Sequence, residues 1–357
     1  MTMKTDKKWI LLAAALLILP LSFHAQERNT GKGWISKSVK KVGAFLDDVA
    51  IEGVDTNYLS LPKYGWKLSV TTDFAGINTK VKGSNIPTYG NIKVNAHSEL
   101  NGQTTLAFGY RGLSARYSFD LAHGYSRDLN IGALGNALGI EFRSHSTEGL
   151  KGTLDASATE GNLPLHKGDT KLNATIINGY YVFNHRHYSL PAAMQQSLNQ
   201  RRSAGSITAY ALFMSAKLEA KNTQMSTMLG GIRKIEFYQA AVGLGYGYNF
   251  TPNQGRLLIH VSAAPLLVFF NKNFLTADTA IPLPDGTIYS TSISKEVEAK
   301  HRYFLTGVAR TSINYNISDR FFVSTAVLVN DIRFNSSSGV KLSMDDWIVN
   351  GSVGLRF

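Results

Sequence analysis

From Trp66 to the carboxyl end, apolar and polar side chains alternate with a period of two in segment after segment. The last segment has an apolar face and a polar face. The apolar face consists of Trp347, Val349, Val353, Leu355 and Phe357, and the polar face of Asp346, Asn350, Ser352 and Arg356. Because successive side chains of a strand point to opposite sides, this pattern predicts a sheet with lipid on one side and an enclosed interior on the other.

Counting such segments predicts an all-β chain that folds as a twelve-stranded antiparallel transmembrane β-barrel of the outer-membrane type. The clearest strand is 113–121, in which Leu113, Ala115 and Tyr117 oppose Ser114, Arg116 and Ser118. The twelve predicted strands are 66–74, 103–110, 113–121, 136–144, 149–156, 170–183, 205–219, 238–250, 256–270, 301–316, 320–334 and 346–357.

The connections alternate in length, as expected when both ends of a barrel lie on its periplasmic side. The predicted periplasmic turns are 111–112, 144–148, 251–255 and 316–319. The predicted external loops include 75–102, 157–169, 220–235 and 271–300. Within the first loop, Ile92 to His97 either extends a strand or forms a hairpin of its own.

Two segments have helical rather than strand character. Apolar residues recur at helical spacing over 33–48, which predicts a short amphipathic helix. The long connection 184–204 contains a second candidate, with Ser189 as N-cap, Pro191 in the first turn and Gly205 after the end. This helix is expected at the inner mouth, where it could plug the lumen through Gln195, Gln196, Gln200, Arg201 and Arg202.

The amino terminus is typical of a secretory signal peptide. Lys4, Lys7 and Lys8 precede an apolar run, and Ala25 offers a small residue for cleavage. The expected organisation is a signal peptide over 1–25, a periplasmic segment with a short amphipathic helix over 26–65, and the barrel over 66–357. The predicted location is therefore the outer membrane of a Gram-negative bacterium.

Composition narrows the possible chemistry. The chain has no cysteine, which excludes disulfides and thiolate metal sites. Its net charge of +12 comes from dispersed basic residues without a nucleic-acid-reading motif. Expected partners are outer-membrane lipid and lipopolysaccharide phosphates, the barrel assembly machinery through the last strand, and small polar solutes, with no nucleic acid.

Several motifs resemble a family of uncharacterised outer-membrane barrels, domain of unknown function 4421. They include Asp55-Thr-Asn-Tyr58, Gly109-Tyr-Arg-Gly-Leu113, Tyr180-Tyr-Val-Phe-Asn184 and the most specific block, Gln200-Arg-Arg-Ser-Ala-Gly-Ser206. The resemblance covers about residues 54–357. It implies an outer-membrane barrel and implies no activity.

The inward faces carry charges of both signs, which favours a lumen lined by polar groups. The predicted lumen-lining residues are Lys67, Asp73, Arg116, Asp120, Glu141, Arg143, Arg310, Asn314, Asn350 and Arg356. They could line a narrow aqueous pore or satisfy one another around a plug.

One pair of residues suggests catalysis. His260 and Ser262 share a strand face, so an imidazole could serve as base to a hydroxyl nucleophile. Outer-membrane lipid A deacylases carry a similar His-x-Ser, although Ala263 replaces the asparagine that follows in that family. Metal and cofactor sites are not expected.

Three hypotheses follow. The leading one is a small channel or porin for polar solutes, which is not an enzyme. The first alternative is a non-conducting structural or surface-binding barrel. The second is an outer-membrane lipid-modifying hydrolase that uses His260 and Ser262.

Overall fold

The computed structural model describes residues 47–48, 50–86, 90–98, 101–120, 125–156, 162–228, 231–252, 255–282, 288–297, 303–335 and 341–357. The predicted signal peptide and most of the predicted helix 33–48 lie outside these residues. Only 47 and 48 of that helix are described, and both are helical. No helix in the described ranges is long and apolar enough to cross a membrane.

Besides the helical residues 47, 48, 50 and 51, the described residues form eighteen strands and two helices. The strands are β1 (Leu59–Ser60), β2 (Trp66–Ile86), β3 (Gly90–Ser98), β4 (Asn101–Tyr110), β5 (Leu113–Phe119), β6 (Ser126–Leu134), β7 (Leu138–Thr147), β8 (Leu150–Ala156), β9 (Asn162–Leu165), β10 (Thr170–Val182), β11 (Asn199–Gln200), β12 (Ala204–Ala220), β13 (Ile232–Phe250), β14 (Leu257–Pro282), β15 (Ile288–Glu296), β16 (Phe304–Asn316), β17 (Phe321–Asn335) and β18 (Lys341–Arg356). The helices are α1 (Leu190–Gln195) and α2 (Thr223–Met228).

Twelve of these strands close into an antiparallel barrel, which confirms the predicted fold class. Around the barrel the order is β2-β4-β5-β6-β7-β10-β12-β13-β14-β16-β17-β18. The last strand pairs with the first from Lys341↔Lys82 to Arg356↔Lys67. Closure removes the exposed strand edges. Each of these twelve strands, here together called the wall, therefore has two hydrogen-bonding neighbours.

The two ends of the barrel differ. At one end, here the terminal end, Trp66 and Phe357 exchange backbone hydrogen bonds of 3.0 and 3.3 Å. The short turns 111–112, 135–137 and 317–320 also lie there. At the opposite end, here the loop end, β2 and β14 run far beyond their barrel neighbours, and β3, β8, β9 and β15 pair with these extensions or with one another.

The predicted strand count was right, but one strand was assigned wrongly. The segment 126–134 was not predicted as a strand, yet β6 lies in the wall between β5 and β7. Conversely, 149–156 was predicted as a wall strand, yet β8 pairs with β3 and β9 at the loop end. The outward face of β6 begins with Arg127 and has only Leu129 and Ile131 as large apolar residues, so its alternation was too weak to detect.

The predicted turn 144–148 was also wrong. Ser144 and Ser146 are polar residues near the loop end of β7, and they interrupt its apolar outward face. That interruption suggested a turn on the periplasmic side, but the strand continues to Thr147 at the opposite end. Ile92 to His97 belongs to a separate strand, β3, which forms a hairpin with the extension of β2.

The outer face of the wall is a belt of exposed apolar side chains. On β13 the outward residues from Val242 to Phe250 are all large and apolar, and Leu244 is 58% exposed. At the terminal end Trp66 stacks on Phe108, with ring centroids 5.2 Å apart. An apolar belt bordered by aromatic rings is the outer surface of barrels that face lipid.

The position of β6 can be tested with paired cysteines, because the native chain has none. Ala115→Cys with Ile131→Cys should form a disulfide or react with a short thiol cross-linker, since these residues are register partners on β5 and β6. Ala115→Cys with Phe142→Cys should not, because β6 separates β5 from β7 by about 10 Å.

The readout is the mobility of the folded, oxidised protein after denaturation. If the Ala115–Phe142 pair cross-links and the Ala115–Ile131 pair does not, β5 and β7 are adjacent and 126–134 is a loop, as the sequence predicted.

Candidate functional site

The middle of the lumen is crossed by two groups of ion pairs, one around the buried Arg143 and one between Arg310 and Glu141. Arg143 on β7 donates from Nε to Asp128 Oδ2 on the adjacent β6 at 2.6 Å, and from Nη1 to Asp346 Oδ2 on β18 at 2.9 Å. Because β18 lies five strands away around the wall, the second bond spans the interior. Asp346 also accepts from Asn330 Nδ2 at 3.1 Å.

The second pair joins β7 to another part of the wall. Arg310 Nη2 on β16 donates to Glu141 Oε2 on β7 at 3.1 Å, and β16 is likewise five strands from β7. Removing a charge from water costs several kcal/mol, so such groups persist only when each is closely paired. Strand β7 is therefore bound ionically to two distant parts of the wall.

A cavity of about 120 Å³ lies among these groups. Three carboxylates border it, from Asp73, Asp128 and Glu141, and three guanidinium groups, from Arg116, Arg143 and Arg310. The formal charges cancel. The volume is enough for several water molecules, and far less than the continuous passage that a porin requires.

The connection between β10 and β12 folds into the terminal end and fills it. Helix α1 begins after Ser189, whose Oγ accepts from Ala192 N at 3.1 Å, so the predicted N-cap is confirmed. The helix ends at Gln195, earlier than predicted, with Gln196 in the left-handed region at φ 52°. Leu190 and Ala193 are completely buried, so this segment (184–203) is a plug within the described barrel.

Polar groups of the wall bind the plug. The Ala193 carbonyl accepts from Ser312 Oγ at 2.9 Å and from Asn314 Nδ2 at 2.7 Å. Gln195 Nε2 donates to Ser114 Oγ at 2.7 Å, and Lys67 Nζ donates to the Gln195 carbonyl. The exposed carbonyls of a short helix thereby obtain partners that water would otherwise supply.

Tyr188 occupies space that a glycine provides. A Cβ on Gly247 of β13 would overlap the Tyr188 hydroxyl, so the inward glycine admits the ring. The Tyr188 side chain is fully buried, and this burial raises the pKa of its phenol. A phenol is neutral at physiological pH in any case, and burial opposes its ionisation further.

His260 and Ser262 lie beneath the plug in a continuous hydrogen-bond network. Asn249 Nδ2 donates to the Ser189 carbonyl at 2.8 Å and to Gln200 Oε1 at 3.0 Å. The Asn249 amide therefore turns its Oδ1 toward His260 Nδ1, at 2.8 Å, which requires the proton on Nδ1. His260 Nε2 is then an acceptor for the Ser262 hydroxyl at 3.0 Å.

This network has the order of a serine, a base and an orienting group. Asn249 takes the position of the orienting group. However, His260 is completely buried and Ser262 is 5% exposed. The same network also links the wall to the plug through Gln200, which donates to the carbonyls of His187 and Arg202.

The loop end is filled by an apolar core. Side chains of the inward faces, of β3 and of α2 pack together there. The buried members are Ile77, Val81, Val94, Ala96, Leu150, Leu165, Leu172, Ala174, Met214, Ala216, Ala220, Met225, Phe237 and Met344. Within the described residues, the lumen is thus polar in the middle and filled at both ends.

The predicted lumen-lining residues occupy three levels. Asp73, Arg116, Glu141, Arg143, Arg310 and Asn350 border the central cavity. Lys67 and Asn314 contact the plug, while Arg356 Nη2 donates to Asn316 Oδ1 at 2.9 Å near the terminal end. Asp120 is buried near the loop end of the wall, next to β5.

The predicted plug residues divide into two groups. Gln195, Gln196 and Gln200 all bond inside the terminal end; Gln196 Nε2 donates to Asn314 Oδ1 at 2.7 Å. Arg201 and Arg202 are exposed instead, because β11 pairs with β1 and leads the chain back to the rim. There the Arg202 guanidinium lies over the Tyr58 ring, 5.7 Å from its centroid.

Important members of the site escaped the sequence reasoning. Asp128 was missed together with its strand, although Asp128 and Asn130 alternate with Leu129 and Ile131. Asn249 could have been found, because it follows Gly243, Gly245 and Gly247 on the inward face of β13.

The fold is a closed twelve-stranded antiparallel barrel with an internal plug. The chain belongs to the family described as domain of unknown function (DUF4421), whose model matches residues 53–357. The resemblance stated from the motifs is thereby confirmed.

Solved structures with a similar fold include three bacterial barrels. The outer membrane protease OmpT from Escherichia coli is 9% identical, with a TM-score of 0.37, and the alignment covers 84% of this chain and 98% of that one. The outer membrane protein OprG from Pseudomonas aeruginosa is 10% identical, with a TM-score of 0.29 and coverage of 84% and 99%.

The beta domain of the Bordetella autotransporter BrkA is also 10% identical, with a TM-score of 0.32 and coverage of 83% and 100%. At these scores the likeness assigns no role to this chain. No curated protein matches it.

The lumen ion pairs should matter for stability. Arg143→Ala leaves the buried Asp128 and Asp346 carboxylates without their cation, so we expect a loss of roughly 3–5 kcal/mol in the free energy of unfolding. The matched control is Arg333→Ala, which removes an exposed guanidinium 3.0 Å from Asp331 and should cost less than about 1 kcal/mol.

Denaturant unfolding in detergent micelles or liposomes measures both values. Equal losses for the two variants would show that the Arg143 pairs do not hold the wall together.

Proposed function

We propose that this protein is an outer-membrane barrel with a closed, non-conducting lumen, which acts through the surface at its loop end. The observation that carries the proposal is the filled interior, with a plug at the terminal end and an apolar core at the loop end. The belt of exposed apolar side chains supports a membrane location. The long extensions at the loop end match the external side of such barrels.

The mixed charges of the inner faces first favoured a channel for small polar solutes. In the structure these charges serve mainly to neutralise one another, as in Arg143 with Asp128 and Asp346. A conducting lumen would need unpaired polar groups along a continuous water path. The geometry therefore favours the alternative of a structural or surface-binding barrel.

Bilayer conductance tests this proposal. The wild-type protein, reconstituted in a planar bilayer, should give no channel steps. A variant with a four-residue turn in place of 185–203 should also stay silent, because the loop-end core still blocks the lumen. Heat-modifiable migration in gels supplies the control that each protein has folded and inserted. Steady ohmic steps from the wild type would overturn the proposal.

A lipid-modifying hydrolase is the second candidate, because Asn249, His260 and Ser262 have the order of a catalytic triad. For substrate to reach Ser262, the plug would have to leave. The bonds from Asn249 to Ser189 and Gln200 oppose that movement. We therefore assign the network the role of fastening the plug to the wall.

Ser262→Ala separates the two roles. If the network is structural, the variant should lose about 1 kcal/mol of stability and leave the lipid A and phospholipid composition of expressing cells unchanged. The wild type should also resist labelling by a fluorophosphonate. Labelling that disappears in Ser262→Ala, together with a changed lipid composition, would establish the hydrolase instead.

A further inference from the structure

Four lysines stand together on the outward face of the wall near the loop end. Lys341, Lys82 and Lys93 are consecutive register partners on β18, β2 and β3. Lys80 precedes Lys82 by two residues and so shares its face of β2. All four side chains are exposed. These residues are here called the lysine patch.

The register gives the patch an unusual charge arrangement. Directly opposed residues of antiparallel strands have Cβ atoms about 5 Å apart, and like charges at such positions repel. Lys82 has a lysine on both sides. Asp155 stands opposite Lys93 on β8, outside ion-pair distance. No described carboxylate forms an ion pair with any of the four ammonium groups.

Two other lysines of the loop end are arranged differently. Lys221 Nζ lies 2.6 Å from Glu148 Oε2, and Lys272 Nζ lies 3.9 Å from Glu296 Oε1. On β17, Arg333 likewise pairs with Asp331 at 3.0 Å. Each of these three cations thus has a carboxylate beside it, whereas the lysine patch has an excess of positive charge.

Trp347 indicates where the lysine patch lies along the membrane normal. This residue on β18 is the register partner of Gly76, and its indole covers that glycine on the outward face. Lys80 and Lys82 follow Gly76 by four and six residues, which is about 14–20 Å along a strand and somewhat less along the membrane normal because barrel strands tilt. Tryptophan marks the border of the hydrocarbon, so the ammonium groups reach the head-group layer above it.

We propose that the lysine patch binds the phosphate groups of a phosphorylated glycolipid of the lipid A type in the outer leaflet. The inference rests on the proposed outer-membrane location. Phosphate groups between adjacent lysines would convert the repulsion across β18, β2 and β3 into attraction. The neighbouring apolar belt would meet the acyl chains of the same molecule, so the site recognises a lipid rather than a soluble anion.

The test uses the full-length folded barrel in neutral detergent. Native mass spectrometry and the melting temperature report binding of bisphosphorylated lipid A, of the same lipid without phosphates, of inorganic phosphate and of soluble polyphosphate. The wild type should bind only the first strongly and melt at a higher temperature with it.

Two double variants remove equal charge. Lys82→Gln with Lys93→Gln should weaken binding of bisphosphorylated lipid A by roughly 25-fold, at about fivefold for each lysine near a membrane surface. Lys221→Gln with Lys272→Gln should change it by less than about threefold. Lys82→Arg with Lys93→Arg should retain the affinity, which separates loss of charge from misfolding.

Two outcomes would overturn the inference. One is equal affinity of the two glutamine variants for the phosphorylated lipid. The other is wild-type binding of polyphosphate as tight as that of lipid A, which would indicate a soluble polyanion. Failure of the barrel to insert into bilayers would count against the proposed function. Normal insertion, with equal affinity of the two glutamine variants for bisphosphorylated lipid A, would count against the lysine patch alone.

Discussion

The alternation of side chains along the wall imposes one electrostatic constraint on the whole molecule. Within the apolar belt of the outer face, a charge that a wall strand carries must project into an enclosed interior. Burying an ion without a partner costs several kcal/mol. Opposite charges in the interior therefore have to lie next to each other, and an overall balance of charge is not enough. Arg143 with two aspartates, and Arg310 with Glu141, are the result.

This constraint also explains the plug. The inward faces near the terminal end carry hydroxyls and amides, such as Ser312, Asn314 and Asn249, which need hydrogen-bond partners if water is excluded. The segment 184–203 presents the carbonyls of Ser189 and Ala193 to them, and the carbonyl of Gln195 to the Lys67 ammonium group. Wall and plug therefore satisfy each other, and removal of either would leave buried polar groups exposed to solvent or unpaired.

The sequence could predict whatever depends on alternation along a single strand. The strand count, the closing strand β18 and the inward direction of Arg143 and Arg310 are properties of this kind. The N-cap Ser189 follows from another local signal, a serine two residues before a proline in the first turn. It could not predict which inward residues meet, because Arg143 reaches Asp346 only when β7 and β18 face each other across the lumen. Strand β6 was missed for a related reason. Its polar residues Asp128 and Asn130 lie on the inward face, and its outward face begins with Arg127 and has few large apolar residues.

The same reasoning distinguishes the lysine patch from the charges of the lumen. In the middle of the lumen, Arg116, Arg143 and Arg310 each have a carboxylate supplied by another strand, because the low dielectric of the interior makes an unpaired charge costly. On the outside, Lys82 can lie between two lysines only because water and ions screen the repulsion. A head-group layer rich in phosphate would do more than screen it. An excess of cations in register across three strands is therefore explained more economically by an anionic surrounding than by the fold of the barrel itself.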